Sequence, residues 1–404
     1  MLTGFFKLTV VQGIVSAVIF LGGYGCRKQS STIPASAILE VWDDANSPDL
    51  MGVKSKSLGE IAREGILSED HYPWADDYWA TYRGGIAFRW QNKAASNSPS
   101  NLITYPLLAL QQIKKMSQPA LDQLSPAEKY DIAFGRYDFP LVKQQWDEAQ
   151  DLQRELGNIP TWYGICHGWA AASLMEPEPG ERASIVNSDG IKVNFFASDI
   201  KALLSKIYAD GHQAETIVGQ RCGTSSHAIP TDKMGRILVP ECRDLNPGSL
   251  HLILGDYLGH KQPLLRRGFV IDMARDAEVW NQPVVGFKVL NMRRRVFDPQ
   301  KDPKRAYRAK KTAFIVDVET DLYYLSEGMP SKSPRIAANK RFQRTMHLKY
   351  SLELDRQEKI IGGEWASEYH PDFVWLGNRR PDRVFSPLDP KRIYEFLERS
   401  RKKD

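Results

Sequence analysis

The order of its hydrophobic patterns most limits what this chain can become. Helix-like segments crowd the stretch before residue 210, and strand-like runs dominate after residue 250. Ser125-Pro-Ala-Glu128 reads as a capping box with proline at the first helical position, leading into a helix through Phe134. Further helices are expected over Leu141 to Leu156, from Cys166 to Met175 with Pro177 and Pro179 beyond it, and over Ser198 to Asp210. Strands are expected at Leu250 to Gly255, Arg267 to Asp272, Val285 to Leu290, Ala313 to Val318, Leu322 to Leu325, Thr345 to Leu354 and Ile360 to Trp365. Ile393 to Arg401 reads as a closing helix, and no internal repeat is present. Helices first and strands later predict an α+β layout. At 404 residues and 42% hydrophobic, the chain can bury a large core.

The N-terminus has the form of an export signal over residues 1–25: Lys7, the mostly apolar run Leu8 to Leu21, then Gly22-Gly-Tyr-Gly-Cys26. That run is too short for a spanning helix and suits the apolar core of a signal peptide. Cys26 is the candidate for lipidation, which would anchor the mature chain to a membrane. Gly23-Tyr24-Gly25 departs from the usual lipoprotein pattern and suits ordinary cleavage as well. The expected destination is the periplasm or cell surface, lipid-anchored or secreted. Residues 26–70 read as a polar tether, and aromatic density rises abruptly at Tyr72-Pro-Trp-Ala-Asp-Asp-Tyr-Trp79. A catalytic domain is expected over 71–380, followed by a C-terminal helix and basic tail over 381–404.

Charge excludes little but guides the choice of partner. The net charge of +5 comes from 54 basic and 49 acidic residues and implies no nucleic acid. The densest basic stretch, Arg293 to Lys311, is broken by Pro299 and Pro303 and reads first as a solvated loop, with a docking site for an acidic surface partner as the alternative. There is no Cys-x-x-Cys, no His-Glu-x-x-His and no EF-hand loop, so no metal site and no cofactor is expected, and the residues leave calcium dependence open.

Export changes the meaning of the four cysteines, because an oxidising compartment pairs thiols. Cys222 and Cys242 flank a turn-rich segment and are the natural disulfide, adding about 3 kcal/mol in the chain-entropy picture. With Cys26 lipidated or removed, Cys166 is left free.

Cys166 lies in Trp162-Tyr-Gly-Ile-Cys-His-Gly-Trp169, where a glycine-bearing loop turns into a helix. Unpaired N–H groups and the dipole at a helix N-terminus favour an anion, and such a thiol is expected below its free pKa of about 8.5. The plainer alternative is a cysteine packed as a small hydrophobe. A nucleophilic thiol needs a base and the base an orienting group. His167 is adjacent, but successive side chains at a helix start diverge. His71, His212, His227, His260, His347 and His370 fall in predicted loops or near element ends. His251 sits near the start of a predicted strand launched by Asn246-Pro-Gly248, and Asp272 closes the next one. Two neighbouring strands would thus present a histidine and a carboxylate.

These residues resemble the oomycete transglutaminase elicitors and their bacterial relatives. The resemblance is carried by Trp162 to Trp169, Asn246-Pro-Gly-Ser-Leu-His251, Phe269-Val-Ile-Asp272, Glu278-Val-Trp-Asn-Gln-Pro283 and Tyr72 to Trp79. Ile360-Ile-Gly-Gly-Glu-Trp365 and His370-Pro-Asp-Phe-Val-Trp375 extend it, so that it spans about 72–376. It implies a transglutaminase-like, papain-related core whose antiparallel sheet carries His251 and Asp272, with Cys166, His251 and Asp272 as the triad. It further implies a protein-glutamine gamma-glutamyltransferase. Cys166 forms a thioester from a glutamine side chain and passes the acyl group to an amine, with glutamine- and lysine-containing proteins as substrates. Oxyanion donors would be the Cys166 backbone N–H and a tryptophan, with Trp79, Trp74 and Trp162 as candidates, while Trp169, Trp280 and Trp365 read as core. The same triad acting through water would make a peptidase, amidase or deamidase. An inactive envelope-binding protein that kept the fold is the reading from another class.

Overall fold

The computed structural model describes residues 44–92, 104–211, 216–223, 229–233, 237–274, 277–377 and 379–402. The export segment, Cys26, His212 and His227 lie outside the described residues.

Among the described residues short 3-10 turns from Asp44 lead to the first strand, β1 (Glu64–Ile66), followed by α1 (Leu110–Ile113), α2 (Gln118–Asp122), α3 (Pro126–Ala133), α4 (Pro140–Leu156) and α5 (Cys166–Met175). The hairpin β2 (Arg182–Val186) and β3 (Lys192–Phe196) leads into α6 (Ala197–Asp210), β4 (Ile217–Gly219) and α7 (Pro247–Leu258). Then come β5 (Phe269–Asp272), β6 (Asn281–Val296), β7 (Phe314–Leu325), β8 (Gln343–Leu354), β9 (Ile360–Trp365), β10 (Phe373–Trp375) and α8 (Pro390–Arg401). The fold is α+β, with an antiparallel sheet in the order β4-β10-β5-β6-β7-β8-β9. β1 pairs with β6 off that path.

The helical layer forms for the reasons its sequence announces. Ser125 caps α3 by accepting from the Glu128 N–H while Glu128 returns to the Ser125 N–H, and Pro126 fills the first turn. Lys129 of α3 and Asp199 of α6 form a fully buried ion pair at 2.6 Å, which fixes how the two helices face each other. Removing one partner would leave a buried charge and cost about 3–5 kcal/mol. α5 lies close against α6 because Gly168 has no side chain. A Cβ there would stand 2.1 Å from the Ser205 carbonyl oxygen.

Residues 44–70, expected as a tether, belong to the folded body. Met51 and Leu67 are buried in the core, Gly65 pairs with Phe287, and the Tyr257 hydroxyl donates to the Met51 carbonyl at 2.8 Å. Their apolar residues are too sparse to show a period, because the segment is held by a three-residue strand riding on a much longer one. The C-terminal segment also joins the core: Phe396 of α8 stacks on Phe195 with centroids 4.6 Å apart. The expected runs Ala313 to Val318 and Leu322 to Leu325 are one continuous strand, β7, whose polar middle at Asp317, Glu319 and Asp321 faces outward. Arg293 to Arg295 continue β6 rather than opening a loop, and Arg308 is buried against Glu353.

Candidate active site

Cys166 begins α5, as its flanking residues require. The preceding loop is clamped to the segment 78–81: Ile165 N–H donates to the Tyr78 carbonyl at 2.8 Å and Thr81 N–H to the Tyr163 carbonyl at 2.9 Å. Gly164 permits that approach, since a Cβ there would meet the Tyr78 carbonyl oxygen at 2.6 Å. The helix's first bond runs from Trp169 N–H to the Ile165 carbonyl at 3.0 Å. The amides of Cys166, His167 and Gly168 therefore precede the helical ladder, and their dipoles point toward the loop.

Cys166 is a free thiol, 4% exposed, and Cys222 and Cys242 form the expected disulfide. The Cys166 sulfur lies 3.6 Å from the Val279 carbonyl oxygen and 3.7 Å from Asn281 Nδ2. Trp375 Nε1 donates to Asn281 Oδ1 at 2.7 Å, so the amide of Asn281 is oriented with its donor toward the sulfur. Burial pushes the thiol up to about 12, while hydrogen bonds from the Asn281 backbone and side chain pull it down. The charges of Glu327 and Asp272 push it up again. The depressed thiol expected from helix position alone is thus not what the folded site holds. Desolvation and two acids outweigh the helix end, and the resting sulfur is protonated.

Asp272 ends β5 directly opposite Asn281, which starts β6, so strand pairing brings it into the Cys166 site. Its Oδ1 accepts from Trp280 N–H at 2.8 Å and Ala274 N–H at 3.1 Å. Behind it lies Asp372, just before β10, whose Oδ2 accepts from Cys222 N–H at 3.3 Å. Burial, then the charges of Asp244 and Asp272, raise the Asp372 carboxyl well above the carboxylate range. His370 bonds Asp244 at 2.8 Å and stacks on Trp365.

His251 occupies a different place from the one expected. It lies on helix α7, not on a strand, and its Nδ1 bonds the Tyr350 hydroxyl at 2.8 Å rather than Asp272. Burial lowers its imidazole to about 4, so it is neutral. The misreading has a local cause. Asn246-Pro-Gly reads as a turn, yet Asn246 accepts from Gly248 N–H as an N-cap and Pro247 takes the first helical position. The run after it is apolar on every side because α7 is buried all round, which erases the 3.6-residue period. Among the described residues no histidine nitrogen bonds the Cys166 sulfur. His167 faces the other way, toward Ala209 and Asp210.

The tryptophans also separate by partner. Trp74 Nε1 donates to the Glu176 carbonyl at 3.1 Å, and Trp162 lies against Tyr163. Trp169 is core as expected, donating to the Trp74 carbonyl at 3.1 Å. Trp280, expected in the core, is half-exposed and packs against Tyr78 with centroids 5.5 Å apart. Trp365 is half-buried between Tyr350 and His370. Trp79 is 1% exposed, has φ +51°, and among the described residues its Nε1 has no hydrogen-bond partner.

Asn281 and Glu327 were not singled out from sequence. Asn281 stands inside the motif Val279-Trp-Asn-Gln-Pro283, but only the strand pairing to Asp272 marks it as the residue facing the sulfur. Glu327 follows β7 and enters through tertiary structure alone. Burial raises its carboxyl, and Gln282 Nε2 donates to it at 2.6 Å.

The sequence model of the transglutaminase elicitor family matches residues 51–388. No curated protein matches the chain. Among solved structures, the crystal structure of the GP42 transglutaminase from Phytophthora sojae superposes with a TM-score of 0.63 at 24% identity. The match covers 89% of this chain and 99% of that one, so the two share a fold over nearly their whole lengths. By the extent of the family match, this chain belongs to the transglutaminase elicitor family.

Proposed function

We propose that the protein is an exported cysteine acyltransferase that takes the acyl group of a glutamine side chain onto Cys166 and passes it to an amine. The observation that carries this reading is the oriented Asn281 amide 3.7 Å from a free thiol at a helix N-terminus. Attack by sulfur on a carboxamide generates an oxyanion, and the Cys166 backbone N–H, Asn281 Nδ2 and the Trp79 indole are the donors proposed for it. Asp272 is proposed as the proton-transfer group, accepting the thiol proton and returning it to the departing ammonia. Two backbone N–H groups fix the orientation of its carboxylate for this exchange. His251 is assigned to the structure of α7 and β8. The disulfide supports an oxidising compartment. Among the described residues no helix is long and apolar enough to cross a membrane.

A second reading has one observation in its favour. Burial that holds the thiol near 12 also fits a binding protein that kept the fold without the chemistry. The experiment that separates the two uses purified wild type and Cys166→Ala with a glutamine peptide, with and without a primary amine. Cys166-dependent amine incorporation is expected. Ammonia release without incorporation would move the assignment to a deamidase, and no Cys166-dependent product would sink the enzymatic reading.

A further inference from the structure

The position of Glu327 points to how the acceptor is chosen. Glu327 lies two residues beyond β7, next to the β6 strand that carries Asn281 and Gln282. The turn is pinned on its other side by Gly328 N–H donating to the Asp76 carbonyl at 2.9 Å, one residue before Asp77 and two before Tyr78. Glu327 is therefore held between the Gln282 carboxamide and the segment that clamps the cysteine loop. Its charge also bears on the Cys166 sulfur more strongly than that of Asp272.

Among the described residues, one buried acceptor of this cluster lacks a donor. Gln282 is 4% exposed and commits its Nε2 to Glu327, and among the described residues its buried Oε1 has no hydrogen-bond partner. Glu327 itself is half-exposed. Asp77, which also faces Glu327, is engaged by Arg83 at 3.5 Å and by the Trp79 N–H. A primary ammonium has three donors and no acceptor, which matches a carboxylate beside a carbonyl oxygen. The half-exposed rings of Tyr78 and Trp280 nearby provide an apolar wall for an aliphatic chain and π-faces favourable to a cation.

We propose that Glu327 and Gln282 form the acceptor subsite, a seat for a primary alkylammonium such as a lysine side chain, whose proton Glu327 takes before the amine attacks the Cys166 thioester. The proposal rests on the acyl-transfer reading. An alkylamine with a pKa of about 10.4 arrives protonated at neutral pH and is not a nucleophile in that state. One N–H proton passes to the Glu327 carboxylate. The freed nitrogen forms the new C–N bond, the C–S bond breaks, the second nitrogen proton goes to the Cys166 sulfur, and Glu327 then releases its proton to water.

The test compares two acceptors on the full chain with one glutamine-peptide donor at neutral pH: n-butylamine, which is cationic, and hydroxylamine, which is uncharged. In Glu327→Gln the ratio of kcat/KM for butylamine to that for hydroxylamine should fall at least tenfold, and raising the pH until butylamine is uncharged should restore it. A ratio equal to that of wild type, or equal loss with both acceptors, would overturn the proposal. A second measurement does not need turnover. Butylammonium should slow Cys166 alkylation by iodoacetamide in wild type and not in Glu327→Gln, while n-butanol should protect neither. Absence of protection in wild type overturns the subsite even if no glutamine donor reacts, and its presence supports the subsite even if acyl transfer itself is not observed.

Discussion

Asn281 aims its side-chain amide at the sulfur of Cys166 from 3.7 Å, and the Trp375 indole holds that amide in place through a 2.7 Å hydrogen bond to its carbonyl. This joins three strands to the start of one helix: Trp375 on β10, Asn281 on β6 opposite Asp272 on β5, and Cys166 on α5. The helix end alone does not make this thiol reactive, because burial works against it. Reactivity depends on donors that stabilise negative charge on sulfur or on the oxygen of an attacked carboxamide, and Asn281 is the one the structure orients best.

Asn281→Ala removes a hydrogen bond that pulls the Cys166 thiol down, so the thiol should shift further upward. The pH profile of Cys166 alkylation should move to higher pH, and acyl transfer should lose about 100-fold to 1000-fold in kcat, as for loss of one oxyanion donor. Stopped-flow alkylation and single-turnover ammonia release measure the two effects separately. An unmoved alkylation profile would mean that the amide does not act on the sulfur.

His251 and Asp272 should behave oppositely. His251→Asn removes or weakens a buried hydrogen bond to Tyr350, worth about 1–3 kcal/mol, and should lower the denaturation midpoint while leaving kcat per folded molecule within about twofold. Asp272→Asn keeps an oxygen for the Trp280 and Ala274 amides and loses the acid–base function proposed for Asp272. It should cut kcat/KM by about 100-fold to 10,000-fold with little change in midpoint. Loss of activity in His251→Asn with normal stability would restore the histidine to the chemistry.

The contrast between these residues shows what the sequence could and could not carry. Cys166 was legible because the signals around it are local: glycines that break the chain, small residues that build a buried helix, and prolines beyond its end. Asp272 was legible as the end of a strand. His251 was misread because a fully buried helix and a buried strand present the same unbroken apolar run. Asn-Pro-Gly serves equally as a turn and as a cap followed by a first helical turn. Asn281 and Glu327 had no local mark. One is placed by its strand partner across a gap in sequence, and the other by a turn packed between distant segments.

Asp372 should make the protein less stable as pH rises. Unfolded, its carboxyl ionises above about pH 4, whereas in the folded chain burial and the charges of Asp244 and Asp272 keep the proton on to much higher pH. Through that window the folded state binds the extra proton, so unfolding releases it and stability falls with increasing pH. Asp372→Asn has no such proton to lose and retains an oxygen for Cys222 N–H. Its melting temperature should therefore decline less than that of wild type between about pH 5 and 8. Parallel declines measured by scanning calorimetry would show that the carboxyl is ionised in the folded protein.

Trp79 offers a test in which stability and activity should part. Its indole N–H is buried and, among the described residues, unpartnered, and its backbone sits at φ +51°, a region that non-glycine residues rarely occupy. A donor left without an acceptor in the folded chain costs about 1–3 kcal/mol. Such a cost is readily understood if the acceptor arrives only with the reaction, as the oxygen of a tetrahedral intermediate. Trp79→Phe removes the donor and keeps most of the ring. It should leave the protein as stable as wild type or more so, and lower kcat by about 100-fold while changing KM little, because the lost interaction belongs to the transition state. Denaturant unfolding and steady-state transfer assays on the same preparation decide it. A variant that loses stability and keeps its activity would assign Trp79 to packing alone, and the oxyanion would then rest on Cys166 N–H and Asn281.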